Sequence, residues 1–153
     1  MSIVERHWPL SVFIDYGYLA REIVTTVKIG PSCVTRTFSP YPKEFVAAWD
    51  TGAVSTAVTK AIVSKLSLRQ NGWKTIEGVT GSAICNTYLI ALSLPNGILI
   101  PELEVADCEG NIGCDVLIGM DVIGMGDFAV CNKDGRTTFS FRTPSIEAID
   151  FTK

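Results

Sequence analysis

The 153-residue sequence predicts an all-β domain carrying one or two short helices. Three observations carry that prediction. Alternating or β-branched segments recur along the chain, glycine-bearing turn signals separate them at hairpin spacing, and only one stretch sustains a helical period. The length suits a single domain with its own core better than two.

The elements follow in chain order. REIVTTVKIG (Arg21 to Gly30) alternates and is β-branched, a strand ended by Gly30-Pro31, and SCVTRTFS is its expected return partner, closing at the turn SPYPK. EFVAAWD is a largely apolar strand of the kind buried on both faces. After Gly52, the residues Val54, Val58, Ile62 and Leu66 recur every four positions, which predicts a short helix with one apolar stripe, capped by Ser55 or Thr56. WKTIEGVTGSAI holds Gly78 and Gly81 between β-prone flanks and reads as a hairpin or glycine-bearing loop. NTYLIALSLPNGILIPELEVAD is two strands around Asn96-Gly97, the strongest hairpin signal in the chain. DVLIGMDVIGMGDFAV gives a buried strand, Gly119 and a short helix or turn, and FAVCNKDGRTTFSF a hairpin at Asp134-Gly135.

Composition removes several function classes. A net charge of −3 offers no broad basic surface, so nucleic acid is not expected as a partner. No apolar run is long enough to span a bilayer, and the apolar N-terminal stretch is interrupted by Asp15, so it reads as mature sequence. Five cysteines without C-x-x-C spacing do not form a disulfide framework, and a cytoplasmic setting with reduced thiols is expected. The single histidine, His7, excludes a multi-histidine zinc site within one chain and reads as a surface or packing residue. Cys108 and Cys114 lie near Asp107, Glu109 and Asp115, but the spacing fits no zinc pattern and the acids read as a solvated loop. Asp121 and Asp127 read as helix-cap or turn residues. No metal and no cofactor are expected.

The chemistry concentrates at Asp50-Thr51-Gly52-Ala53, where an apolar strand ends on a carboxylate and then turns. Glycine lets such a loop turn sharply and approach a neighbour closely, and threonine can lock it by hydrogen bonding. Taken alone, Asp50 could simply cap a following helix. Hydrolysis would need two such carboxylates sharing one proton, one activating water and the other protonating the substrate oxygen.

At these residues the sequence resembles the aspartic proteases, whose signature is Asp-[Thr/Ser]-Gly-[Ala/Ser]. Val116-Leu117-Ile118-Gly119 matches the apolar strand and glycine that pack behind the catalytic loop in retropepsins, with Leu117, Ile118 and Gly119 in a structural role. Between the two motifs, Gly78-Val79-Thr80-Gly81 stands where that family carries its substrate-covering flap. The resemblance spans roughly Arg21 to Phe141. It implies a single-lobed retropepsin-like barrel over 21–142, flanked by an N-terminal extension (1–20) and a C-terminal tail (143–153), and acting as an aspartic endopeptidase, a peptide hydrolase. Pepsin-like enzymes carry two Asp-[Thr/Ser]-Gly loops in a chain about twice this long. This chain carries one, since Asp15-Tyr16-Gly17 lacks the threonine or serine of the signature, so the resemblance implies a homodimer in which Asp50 of each copy completes the pair. Trp49 and the Val54-Ser55 continuation depart from the retroviral pattern. The helix-like segment up to Leu68 resembles the cellular and bacterial retropepsin-like proteins more than the viral ones. The alternative is a catalytically inactive module that keeps this fold for dimerisation or peptide binding.

Overall fold

The computed structural model describes residues 10–32, 42–108 and 113–153. Its main body is a ring of six strands: β2 (Val24–Pro31), β3 (Lys43–Trp49), β8 (Val116–Ile118), β4 (Ala57–Thr59), β7 (Leu99–Cys108) and β6 (Gly81–Ser93), in that spatial order. Pairing of β2 with β6, from Lys28↔Ser93 to Pro31↔Ile90, closes the ring. Strand β5 (Gln70–Gly78) stays outside it and pairs only with β6. A separate sheet has the order β1 (Leu10–Asp15), β10 (Thr138–Thr143), β9 (Asp127–Cys131). Two short helices, α1 (Lys60–Lys65) and α2 (Met120–Ile123), complete the described elements. The chain is all-β with a closed barrel, as its sequence predicts.

Alternation explains how the wall is built. In β2, Thr25, Val27 and Ile29 point inward while Thr26 and Lys28 face solvent. Ile90 and Leu92 of β6, Val105 of β7, and Val116 and Ile118 of β8 meet them in the centre. Each such side chain contributes on the order of 1.5–3 kcal/mol when fully buried. The turn between β6 and β7 places Asn96 at φ 60 and Gly97 at φ 79, so the Asn-Gly pair supplies the left-handed conformations that a tight hairpin requires. The Asp134-Gly135 turn between β9 and β10 works in the same way, at φ 55 and φ 73.

Trp49, the last residue of β3, joins the barrel to the second sheet. It is buried, its Nε1 donates to Thr25 Oγ1 at 3.0 Å, and its ring lies 5.0 Å from both Phe139 and Phe141 and 6.0 Å from Phe128.

Four expectations need correction or relocation. EFVAAWD is not buried on both faces: Phe45, Ala47 and Trp49 are inside, but Val46 is exposed, because the outer side of the barrel wall meets solvent there. The predicted helix over 54–68 is only Lys60–Lys65, because Ala57–Thr59 is drawn into the barrel as β4, parallel to β7 and antiparallel to β8. Val54 is therefore 82% exposed in a loop, and neither Ser55 nor Thr56 caps the helix; Thr59 holds the cap position. Leu10–Asp15, within the stretch read as an extension, pairs along its whole length with β10. Residues 33–39 of SCVTRTFS lie outside the described residues, and β2 finds its partners in β3 and β6.

Candidate active site

Asp50 continues the line of β3 beyond Trp49, where its backbone N–H donates to the Ile118 carbonyl at 2.9 Å. The chain then turns on the carboxylate itself. Gly52 N–H donates to Asp50 Oδ1 at 2.8 Å and Ala53 N–H to the Asp50 carbonyl at 3.2 Å. A side chain at Gly52 would begin 3.1 Å from that same oxygen, so glycine leaves the carboxylate room. Thr51 is exposed beside Asp50 and makes no hydrogen bond among the described residues.

Behind this loop lies the segment from β8 into α2. Met120 N–H donates to the Ala53 carbonyl at 2.8 Å and Asp121 N–H to the Val54 carbonyl at 3.2 Å. Gly119 is wedged between them: a Cβ there would lie 2.7 Å from the Ser55 carbonyl carbon and 2.9 Å from the Ala53 oxygen. Thr56 and Asp121 form a clasp that the sequence reading missed. The Thr56 hydroxyl donates to Asp121 Oδ1 at 2.7 Å and accepts from Gly119 N–H at 3.2 Å, and Thr56 N–H donates to Oδ2 at 2.9 Å. Asp121 also accepts from Val122 N–H at 2.9 Å but does not cap α2: it lies in the helix's first turn, and Gly119 holds the cap position. The clue in the sequence was an acid two residues after the supporting glycine, although its partner lies 65 positions away.

Strands β5 and β6 form a long hairpin with Gly78 opposite Gly81 and Val79-Thr80 at its tip. Gly81 adopts φ +131, which disfavours any side chain, and Val79 is fully exposed. Lys74 and Ile76 are half-buried, and Trp73, Thr75 and Glu77 alternate with them as exposed residues. A cleft of about 750 Å³ separates the hairpin from the Asp50 loop. Asp50, Gly52, Ala53, Gly78, Thr80, Gly81 and Leu117 all line it. Of the remaining predicted residues, Val79 projects into solvent, while Ile118 and Gly119 are buried behind the loop.

The acids beyond the loop are not a solvated cluster. Asp107 is buried and accepts from Asn86 N–H at 2.9 Å, Asn86 Nδ2 at 3.3 Å and the Tyr88 hydroxyl at 3.3 Å. Burial, together with the Asp107 charge, raises the Tyr88 hydroxyl above its ordinary range. Asp115 exchanges backbone and side-chain bonds with Val46, each at 3.0 Å, and extends the β3–β8 contact. Asp127 is more than a turn residue, because it holds the tail: it accepts from Arg142 Nε at 2.6 Å, from Ile146 N–H at 2.9 Å and from the Ser145 hydroxyl. His7, Cys33 and Glu109 lie outside the described residues. Among those described, no group of three His, Cys, Asp or Glu side chains is placed to hold a metal, and Cys85, Cys108, Cys114 and Cys131 are thiols.

No family model and no curated protein matches the chain. Among solved structures, it is similar to a retropepsin-like aspartic protease from Rickettsia conorii, with a TM-score of 0.54 at 12% identity over 89% of this chain and 94% of that one. It is also similar to EIAV protease complexed with the inhibitor HBY-793, with a TM-score of 0.50 at 20% identity over 69% of this chain and 88% of that one. At these identities the likeness is one of fold.

Proposed function

We propose, for a chain that has the retropepsin-like fold, that it is an aspartic endopeptidase working as a homodimer. The observation that carries this reading is the position of Asp50: on a backbone-pinned turn, at the floor of a cleft roofed by a glycine-tipped hairpin. One copy supplies one such carboxylate. A two-fold axis beside Thr51 and Gly52 would bring the second carboxylate within a few ångströms and give the Thr51 side chain a partner.

The chemistry follows from the pair. Two carboxylates that close hold one proton between them. The ionised one takes a proton from a water molecule as that water attacks the peptide carbonyl, and the protonated one donates to the carbonyl oxygen. An extended peptide would lie along the hairpin by strand-like hydrogen bonds, with Ile76, Ala83 and Leu117 offering apolar contact. The domain over 21–142 would carry the site, with the flanking segments 1–20 and 143–153 supporting it. No helix among the described residues is long and apolar enough to cross a membrane; a cytoplasmic setting belongs to the proposal.

Mass-spectrometric mapping of peptides cleaved by the chain and by Asp50→Asn tests the reading. Asparagine preserves an acceptor for Gly52 N–H, so fold and dimerisation are expected to survive while cleavage falls at least about 100-fold. Undiminished cleavage by Asp50→Asn refutes the proposal. Peptide binding and dimerisation without cleavage by either protein would establish the inactive module instead.

A further inference from the structure

The hairpin that roofs the cleft carries a charge on its inner face. Along it, the cross-strand pairs Gly78↔Gly81, Ile76↔Ala83 and Lys74↔Cys85 alternate with Glu77↔Ser82, Thr75↔Ile84 and Trp73↔Asn86. Lys74 and Ile76 are half-buried while Trp73, Thr75 and Glu77 are exposed, so alternation turns Lys74 to the same side as Ile76. Gly78, Ile76 and Lys74 all line the cleft that holds Asp50. Same-face residues of a strand lie about 6.6 Å apart, which sets Lys74 about 13 Å along the roof from Gly78.

The other charged groups lining the cleft are Asp50, Lys60, Glu77 and Asp107, and each is accounted for. Asp50 is the proposed catalytic carboxylate. Asp107 is buried and takes its donors from Asn86 and Tyr88. Its charge and that of Lys60 act on the Tyr88 hydroxyl in opposite senses, so the two offset each other there. Glu77 belongs to the exposed face of β5. Lys74 has no carboxylate partner among the described residues, and the proposed hydrolysis does not use it. Its stem can lie along the apolar wall while the ammonium reaches the cleft, where an incoming anion would complete the pair.

We infer that Lys74 is a specificity-determining residue of this cleft and receives the carboxylate of an aspartate or glutamate in the bound peptide. The inference deepens the proposed function and rests on its reading of the cleft as a peptide site. An extended peptide repeats its side chains on one face at the same spacing of about 6.6 Å. A carboxylate held by Lys74 therefore falls two residues from the side chain that meets Ile76. The recognised pattern is an acidic and an apolar residue separated by one position, at a fixed distance from the cut bond.

The test uses peptides matched except for Glu or Gln at each position in turn, at a pH above about 5, where free glutamate is ionised. At one position the wild type is expected to cleave the Glu peptide with a kcat/KM about 3–5-fold above its Gln isostere, the size of a modest ion pair. Lys74→Met keeps the apolar stem and should erase that preference, and Lys74→Glu should favour Lys there instead. Lys28→Met, which removes an exposed lysine outside the cleft, should keep the preference. Three results overturn the inference and leave the hydrolase reading standing: a wild type indifferent to Glu against Gln at every position, a preference that survives in Lys74→Met, or one lost equally in Lys28→Met. Fluorescence anisotropy with the same peptides on Asp50→Asn, with and without Lys74→Met, separates the two claims further. If the wild type cleaves nothing yet Glu peptides bind more tightly through Lys74, the acid site stands and the hydrolase reading falls. Absence of both cleavage and binding overturns both.

Discussion

Gly119→Ala tests whether the β8–α2 segment holds the Asp50 loop in place. The added Cβ would sit 2.7 Å from the Ser55 carbonyl carbon, about 0.7 Å short of an ordinary 3.4 Å contact. Its three nearest neighbours are all backbone atoms of Ala53 and Ser55, so no side chain can swing aside. Relief requires the loop to retreat from the segment behind it. Such a retreat stretches the Met120-to-Ala53 and Asp121-to-Val54 hydrogen bonds, now 2.8 and 3.2 Å. Each bond contributes about 1 kcal/mol net, and overpacking costs about 1–3 kcal/mol, so a destabilisation of about 2–4 kcal/mol is expected. Urea denaturation followed by tryptophan fluorescence measures it, with Gly78→Ala as the control: its Cβ meets nothing closer than Gly81 O at 3.7 Å. Peptide cleavage should fall in Gly119→Ala even under conditions where the protein remains folded, because Asp50 rides on the displaced loop. A Gly119→Ala protein as stable as the Gly78→Ala control would refute the argument that this contact fixes the loop.

Thr56→Val keeps the shape of a fully buried side chain but removes the hydroxyl that donates to Asp121 and receives Gly119 N–H. A loss of about 2–4 kcal/mol is expected in the same denaturation assay. Trp49→Phe deprives buried Thr25 of its Nε1 donor and loosens the packing on Phe128, Phe139 and Phe141. About 2–3 kcal/mol should be lost, and calorimetry that finds no change would deny Trp49 its joining role. Asp127 is held well below the usual carboxylate range, first by Ile146 N–H, then by the Ser145 hydroxyl and Arg142. Because its folded value is lowered, its contribution is complete above the unfolded value of about 3.9 and disappears as the pH falls below that toward the folded value. Hydrogen exchange at Ile146 and Glu147 should therefore lose protection on acidification in the wild type. In Asp127→Asn it should be low at every pH, and identical pH profiles for the two proteins would contradict the tail-holding role.

Local turn chemistry was legible in the sequence; distant pairing was not. Asn96-Gly97, Asp134-Gly135 and Gly78/Gly81 mark hairpins because left-handed or crowded backbone must be solved by the residues on the spot. Closure of the barrel through β2 and β6 leaves no such mark: Lys28 and Ser93 are ordinary strand residues that meet only when the fold forms. The spacing of Val54, Val58, Ile62 and Leu66 misled because Val58 is buried by a barrel and Ile62 by a helix, so one period spans two kinds of structure. At the site, Asp50-Thr51-Gly52 and Gly119 could be recognised from local motifs. The Thr56–Asp121 clasp and the buried Asp107 depend on contacts between separate elements and could not.

The six-strand ring is complete without β5, and this has a mechanical consequence for the hairpin. Strand β6 belongs to both, with its C-terminal half built into the wall and its N-terminal half projecting beyond Thr87 as one leg of the overhang. The wall therefore behaves as a fixed frame, and the overhang as a leaf hung from one edge of it. Swinging that leaf strains side-chain bonds such as Asn86 to Asp107 and Asn71 to Glu104 and breaks no backbone rung of the frame. A cargo could be admitted and let go many times while the floor beneath it keeps its shape.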